Sequence, residues 1–189
     1  RSDLEDIVRA CHTMSATVSG LLELARVHAT SRPETSSVEQ VLAAATAHLD
    51  GDTGVVVDIA AEAAAGSTDE KMLFALPRDL AVRALSPVLA NAMRHARSHV
   101  AMRARSEGGQ VFVEITDDGP GVDDGEVIFR PGHSGSGGSG LGLPLARRIA
   151  RTVGGDVVLL PPGDGAGARF EVRLPGARTP PDSTGRAGV

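Results

Sequence analysis

Aromatic side chains are scarce in this sequence of 189 residues. They make up 2% of it, and Trp and Tyr are absent. Stacking of bases on aromatic rings is a main device of single-strand nucleic-acid binders, so this composition argues against that class. The formal net charge of −5 gives no general attraction to a phosphate backbone. We therefore expect no nucleic-acid partner and a core of Leu, Val, Ala and Ile.

Cysteine and long apolar runs are also lacking. Cys11 is the single cysteine, so no disulfide forms within the chain and no multi-cysteine zinc site is possible. No apolar run approaches the roughly 20 residues that span a bilayer, and no signal peptide is recognisable. We expect a cytoplasmic location and, because the first residue is Arg, a piece of a longer protein.

Apolar periodicity divides the chain into four parts. Residues 1–28 carry a heptad seam, which predicts one amphipathic helix that packs on other helices. Residues 29–36 have the composition of a linker. Residues 37–176 form the main domain, and residues 177–189 have almost no apolar side chains, which predicts a disordered tail.

Helices and strands alternate in the main domain. The patterns predict an α+β sandwich, in which a mixed, mostly antiparallel sheet built of hairpins is covered by helices on one face. The predicted helices span residues 38–49, 80–97 and 142–153, and the predicted strands span residues 55–60, 72–76, 100–105, 110–116, 156–160 and 169–174. We expect the strands to pair as consecutive hairpins: 55–60 with 72–76, 100–105 with 110–116 across Glu107-Gly108-Gly109, and 156–160 with 169–174.

Residues 117–121 (DDGPG) follow a predicted strand. A carboxylate at Asp117 can accept a hydrogen bond from an exocyclic amine such as adenine N6. Gly119 and Gly121 lack a Cβ and allow a ring to approach closely. Taken alone, the motif also fits an ordinary Asp-Gly turn with solvated carboxylates.

Asn91, Arg94 and His95 share one face of the preceding helix. An amide oxygen is a hard ligand suited to Mg²⁺, and an arginine neutralises phosphate charge. A polar surface stripe is the alternative. His95 and His99 are spaced four residues apart, but no Glu follows His95 as a zincin motif requires.

Residues 138–143 (GSGLGL) open the last predicted helix. Glycines at a helix start leave N–H groups free to face phosphate, and the helix dipole favours an anion there. A P-loop would need Gly-Lys-Ser/Thr, whereas the only lysine is Lys71. A Rossmann fingerprint on the glycines of residues 135–140 lacks the preceding strand and the later acidic residue.

In order and spacing, four segments resemble the N, G1, F and G2 boxes of the sensor histidine kinase ATP-binding domain: residues 91–95, 117–121, 128–131 and 138–143. Residues 167–170 lie where a final glycine box would be. The resemblance implies the Bergerat fold of the GHKL superfamily, with ATP and Mg²⁺ bound. It implies that Asn91 is the metal ligand and, with Arg94, catalytic, that Asp117 anchors adenine, and that residues 132–141 form a mobile lid. The implied binding residues are Asn91, Arg94, His95, Asp117, Gly119, Gly121, Val122, Arg130, Ser139, Gly140, Leu141 and Gly142.

The resemblance also implies partners. Residues 1–28 look like the second helix of a dimerisation and phosphotransfer hairpin, so we expect a homodimer in the intact kinase. The γ-phosphoryl group would pass to a histidine outside this chain and then to a response regulator. We expect the chain to be the cytoplasmic part of a membrane sensor kinase.

Two departures from the family pattern stand out. Pro87 occupies the place of a first Asn in the N box, where a proline can alter the helix and the metal geometry. The phosphoacceptor motif, His followed by Glu or Asp and then Arg-Thr/Asn-Pro, is absent, and His12 is followed by Thr13.

Three other interpretations stay open. A GHKL ATPase of the gyrase B, MutL or chaperone type would need a helix Glu to activate water, and residues 80–97 contain none. An anti-sigma-factor serine kinase has a similar ATP domain. A degenerate, non-catalytic interaction module is the third, and Pro87 is the feature that favours it.

Overall fold

The computed structural model describes residues 34–47, 54–62, 71–122, 127–132, 140–162 and 167–177. These residues belong to a unit that begins at Glu34. The helix predicted for residues 2–28 and the tail predicted beyond Ala177 lie outside the described residues.

Seven strands and three α-helices make up the described fold. In chain order they are β1 (Ser36–Ser37), α1 (Val38–Ala47), β2 (Val56–Glu62), β3 (Leu73–Phe74), α2 (Arg78–His95), β4 (His99–Glu107), β5 (Gln110–Asp117), a 3-10 turn (Val127–Phe129), α3 (Gly142–Thr152), β6 (Asp156–Leu159) and β7 (Arg169–Ala177). The sequence therefore predicted the type of each main element, with bounds that differ by one to three residues at most ends.

All described strands belong to one mixed sheet with the order β1-β3-β7-β5-β4-β2, and β6 pairs with β7. β2 runs parallel to β4, and the other pairs are antiparallel. The α+β sandwich is confirmed. The hairpins predicted at β4–β5 and β6–β7 are present, and Gly108 and Gly109 adopt the positive φ angles that the β4–β5 turn requires.

The prediction that residues 55–60 pair with residues 72–76 is wrong. β2 pairs with β4, whereas β3 lies between β1 and β7. Parallel neighbours need a crossover connection, and α2 lies in the crossover between β2 and β4. A polar turn between two short strands does not by itself identify their partners.

The two faces of the sheet differ in chemistry. Apolar side chains from β4, β5 and β7 are buried on the face that packs against the helices. On the other face, Glu171 is bound by Arg105 (2.9 Å) and Arg173 (2.7 Å). The Arg105 guanidinium lies 4.0 Å from the centre of the Phe112 ring. The helices thus cover one face, and ion pairs occupy the other.

Helix α2 is the central helix of the layer. It starts after Pro77, whose fixed φ of −58° suits a helix start. The helix continues through Pro87 and ends at His95, not at residue 97 as predicted, because the following backbone is bound by Asp118. Its apolar face is fully packed, which fixes the direction in which its polar face points; the buried residues are Leu80, Ala81, Ala84, Leu85, Val88, Leu89 and Ala92.

Candidate functional site

Asp117 has a buried carboxylate, and only one of its two oxygens accepts a hydrogen bond from the described residues. It ends β5 and is 4% exposed. Its Oδ1 accepts hydrogen bonds from the backbone N–H groups of Gly119 (2.9 Å) and Ala168 (3.2 Å). Its Oδ2 is buried and has no hydrogen-bond partner among the described residues. Leaving a buried acceptor unpaired costs free energy, so this oxygen is suited to a donor that arrives with a ligand.

The turn after Asp117 is packed against the end of α2. A Cβ at Gly119 would overlap the carbonyl oxygen of His95 and would lie 2.7 Å from Oδ1 of Asp117. Gly121 has a φ of +82°, a conformation that favours glycine. The two glycines were predicted to admit a ring. The structure shows a further reason why residue 119 is a glycine. Its backbone lies too close to the C-terminal end of α2 for a Cβ to fit.

Residues 167 and 168 contact the backbone of Asp117 and hold it in place. Asp117 N donates to the Ala168 carbonyl (3.1 Å). A Cβ at Gly167 would overlap the Asp117 carbonyl. Sequence reasoning placed a glycine box here without assigning a role to it. The structure shows that this box holds the carboxylate in place, so Gly167 and Ala168 belong to the site.

Three predicted residues lie at the C-terminal end of α2. Asn91 and His95 are half-buried, and Arg94 is exposed. Pro87 lies one turn before Asn91 on the same face. A Cβ at Gly142 would lie 3.5 Å from the Cβ of Pro87. The polar face of α2 therefore meets the start of α3, which brings the N-box and G2-box segments together.

Among the described residues, no side chain caps the start of α3. Its N-cap residue, Leu141, makes no side-chain capping hydrogen bond, and Pro144 has no N–H to contribute. Gly140 has a φ of +64°, and its carbonyl accepts a hydrogen bond from Gly132 N (3.2 Å). This bond joins the residues on either side of 133–139. Ser139 and most of the predicted lid lie outside the described residues.

Arg130 and Val122 lie in different surroundings. Val122 lines a cavity of about 150 Å³ together with Gly121 and Ala168. Arg130 is exposed and lines another cavity, of about 460 Å³, between the 3-10 turn and α3. That cavity is lined by Phe129, Arg130, Pro144, Arg147, Arg148, Arg151 and Thr152, and neither Asn91 nor Asp117 contributes to it. The structure thus groups Val122 with the Asp117 turn and Arg130 with α3.

Asp118 is the residue that sequence reasoning missed. Its carboxylate accepts hydrogen bonds from the backbone N–H groups of Arg97 and Ser98 and from the Ser98 hydroxyl. The Ser98 hydroxyl first, and then the backbone N–H groups, hold the pKa of the Asp118 carboxyl well below its ordinary value. Adjacent acidic residues in an Asp-Gly turn gave no sequence signal for this contact.

Comparison with known proteins agrees with this geometry. The family described as "Histidine kinase-, DNA gyrase B-, and HSP90-like ATPase" matches residues 77–178, which is more than half of the chain. Among curated proteins, the sensor protein kinase PmrB of Pseudomonas aeruginosa is 30% identical over an alignment of 128 positions that covers 62% of this chain and 26% of PmrB. The sensor-like histidine kinase SenX3 of Mycolicibacterium smegmatis is 25% identical over an alignment of 189 positions that covers 90% of this chain and 47% of SenX3.

Solved structures show the same fold. The mycobacterial sensor histidine kinase MprB has a TM-score of 0.66 at 20% identity, covering 78% of this chain and 100% of that chain. Full-length ShkA in complex with AMPPNP has a TM-score of 0.63 at 23% identity, covering 88% of this chain and 36% of that chain.

The chain belongs to this ATPase family, and it is an ATP-binding catalytic domain of the kind found in two-component sensor histidine kinases. It spans less than half the length of PmrB and of SenX3. Within the described part of the chain, no helix has the length and apolar character to cross a membrane.

Proposed function

We propose that this domain binds Mg·ATP and presents it for transfer of the γ-phosphoryl group to a histidine on another segment of the intact kinase. The observation that carries the proposal is the buried, unpartnered Oδ2 of Asp117. In an ATP-binding catalytic domain, an exocyclic amine is the donor that fits this oxygen. Asp117 then selects adenine, and the backbone of Gly119 and Gly121 borders the ring.

The residues at the end of α2 fit a magnesium ion that arrives with the nucleotide. No group of three or more His, Cys, Asp or Glu side chains within the described ranges could hold a metal alone. Mg²⁺ keeps several waters and takes its other ligands from one or two protein oxygens and from phosphates. Asn91 would supply one amide oxygen. When bound, the ion neutralises phosphate charge.

Backbone N–H groups at the start of α3 and the guanidinium of Arg94 would hold the phosphates. The dipole of α3 favours an anion at this end. Phosphoryl transfer needs mainly positioning and electrostatic stabilisation from the protein, and the nucleophile and its base would both come from another segment of the intact kinase. We place His95, Ser139, Gly140, Leu141 and Gly142 in the same binding region and treat Arg130 as an outlying phosphate contact.

The same proposal includes partners. Residues 1–28 carry the heptad pattern of a dimerisation helix, so we propose that the intact kinase is a homodimer through that hairpin. A response regulator would accept the phosphoryl group from the histidine. The composition favours a cytoplasmic location for this part of the kinase.

Calorimetric titration tests the proposal. The protein is expected to bind ADP and a non-hydrolysable ATP analogue at micromolar concentration, more tightly with Mg²⁺. Asn91→Ala should keep the Mg²⁺-free affinity and reduce the Mg²⁺-dependent gain by about 10-fold or more, because a ligand oxygen is lost.

Asp79→Asn is the matched control, since Asp79 is an exposed residue in the first turn of the same helix. It should behave as the wild type does. No nucleotide binding by a folded wild-type sample would instead favour the interaction-module interpretation.

The chain alone is not expected to phosphorylate itself. The phosphoacceptor motif of sensor kinases is absent from it, and His12 lacks the acidic neighbour of that motif. Incubation with ATP, followed by a search for acid-labile, base-stable phosphate on the protein, should find none in a sample shown to bind nucleotide. Stable phosphohistidine would contradict this expectation, and loss of the label in His12→Ala would then identify its position.

A further inference from the structure

The Asp118 side chain contacts the segment that joins α2 to β4. Its Oδ1 accepts from Arg97 N (2.7 Å) and Ser98 N (3.1 Å), and its Oδ2 accepts from the Ser98 hydroxyl (2.7 Å). Its own N–H donates to the carbonyl of His99 (3.2 Å). One side chain therefore binds the first residues after the end of α2.

These contacts join two binding segments continuously. We call this set of contacts, between residues 95–99 and residues 118–119, the seam. Gly119 packs on the carbonyl of His95, Asp118 binds Arg97 and Ser98, and Asp118 N meets His99. The residues at which α2 ends are thus held against the residues at which the adenine-side turn begins. Asn91 and Arg94 lie on the last turn and a half of the same rigid helix.

Helix electrostatics make an acidic residue here unusual. The C-terminus of a helix carries partial negative charge, so a carboxylate near it is disfavoured. The hydrogen bonds from Ser98 and Arg97 nevertheless hold the pKa of the Asp118 carboxyl well below its ordinary value. The stabilisation of the charged form therefore comes from specific hydrogen bonds and depends on the geometry of this seam.

We infer that Asp118 is a positioning residue that holds the metal and phosphate end of the site, on α2, in register with the adenine end, at Asp117. The inference rests on the proposed function. Asp118 would act through its hydrogen bonds to Arg97 and Ser98 and not through contact with the nucleotide or the metal. Asp117 keeps its own support from Gly119 N and Ala168 N, so loss of Asp118 should leave the adenine end intact and displace the α2 end relative to it.

The test compares two ligands that use different parts of the site. AMP, followed by chemical-shift titration, reports the adenine end. A Mg·ATP analogue, followed by calorimetry, needs both ends in register. Asp118→Ala should leave AMP affinity within about 2-fold of the wild type and weaken the Mg·ATP analogue by about 10-fold, because small misplacements of bound groups are costly. Asp118→Asn should restore most of the loss, since its amide oxygen accepts from both N–H groups and its amide NH₂ donates to the Ser98 hydroxyl.

Glu114→Ala is the control for a simple loss of stability. Glu114 pairs with Arg169 on the face of the sheet away from the helices (2.8 Å), so its removal should lower the melting temperature without changing the ratio of the two affinities. Ser98→Ala, which removes one donor only, should shift the ratio about 2- to 3-fold in the same direction and keeps the test usable if Asp118→Ala fails to fold.

An unchanged ratio in Asp118→Ala, or an equal loss for both ligands, would overturn the inference. An Asp118→Asn variant as weak as Asp118→Ala would do so as well, because the hydrogen bonds would be restored without effect. If the wild type binds neither ligand, the proposed function fails, and the inference fails with it.

Discussion

Asp117→Asn is expected to weaken ADP binding by roughly 10- to 150-fold, which corresponds to about 1.5–3 kcal/mol for a charge-assisted hydrogen bond. The two backbone N–H groups at Oδ1 require an acceptor there. The amide oxygen of the introduced asparagine would therefore take the Oδ1 position, and its NH₂ would replace the free Oδ2. A donor would then face the exocyclic amine of adenine.

The same variant should change base preference. Hypoxanthine carries an oxygen where adenine carries its amine, so the wild type should bind ADP about 10-fold or more tightly than IDP. In Asp117→Asn the NH₂ can donate to that oxygen, and the preference for ADP should disappear or reverse. Calorimetric titration of both nucleotides against both proteins measures the four affinities needed.

Asp117→Ala separates ligand recognition from support of the turn. It removes the free oxygen and also the acceptor for Gly119 N and Ala168 N, so it should lose both affinity and stability. Asp117→Asn should lose affinity with little change in the midpoint of urea unfolding. Equal ADP affinities in the wild type and Asp117→Asn would contradict the assignment of Asp117 to adenine.

Local sequence signals predicted the parts of the fold whose contacts are local. The β4–β5 hairpin was predicted from Glu-Gly-Gly between two alternating runs, and its glycines have the required φ angles. Pairing between distant strands has no such signal, which explains why the parallel neighbour of β2 was missed.

The functional site likewise has features that the sequence predicted and features that it did not. The spacing of the boxes predicted Asp117, Asn91 and the start of α3 as parts of the binding site, and their roles in binding stay predictions. It did not distinguish the roles of Asp117 and Asp118, because two adjacent carboxylates in a turn are chemically alike. Their surroundings differ, since Asp117 is buried with one free oxygen whereas Asp118 binds the end of α2. The effect of Pro87 on the metal stays a prediction, although the helix continues through it.

Gly167→Ala is expected to cause the largest loss of stability among single-atom additions at the site. A Cβ at Gly167 would overlap the carbonyl oxygen of Asp117, and the nearest atoms belong to the backbone of residues 117 and 118. A side chain could rotate away, but these atoms are fixed by β5 and by the hydrogen bond from Asp117 N to Ala168 O. Overpacking against atoms that cannot yield costs about 3 kcal/mol, which urea unfolding would measure.

Gly142→Ala is the matched control, because the added Cβ would meet only the Cβ of Pro87 at 3.5 Å, an ordinary contact. Gly142 is the first residue of α3, where alanine favours the helix by up to about 1 kcal/mol. The two substitutions add the same atom to the same residue type and should shift the free energy of unfolding in opposite directions. If Gly167→Ala were as stable as the wild type, the strand end that carries Asp117 would have to move with little cost. The buried Oδ2 of Asp117 would then not be a preformed acceptor. Gly167→Ala would in that case also lose the preference for ADP over IDP that is predicted for the wild type.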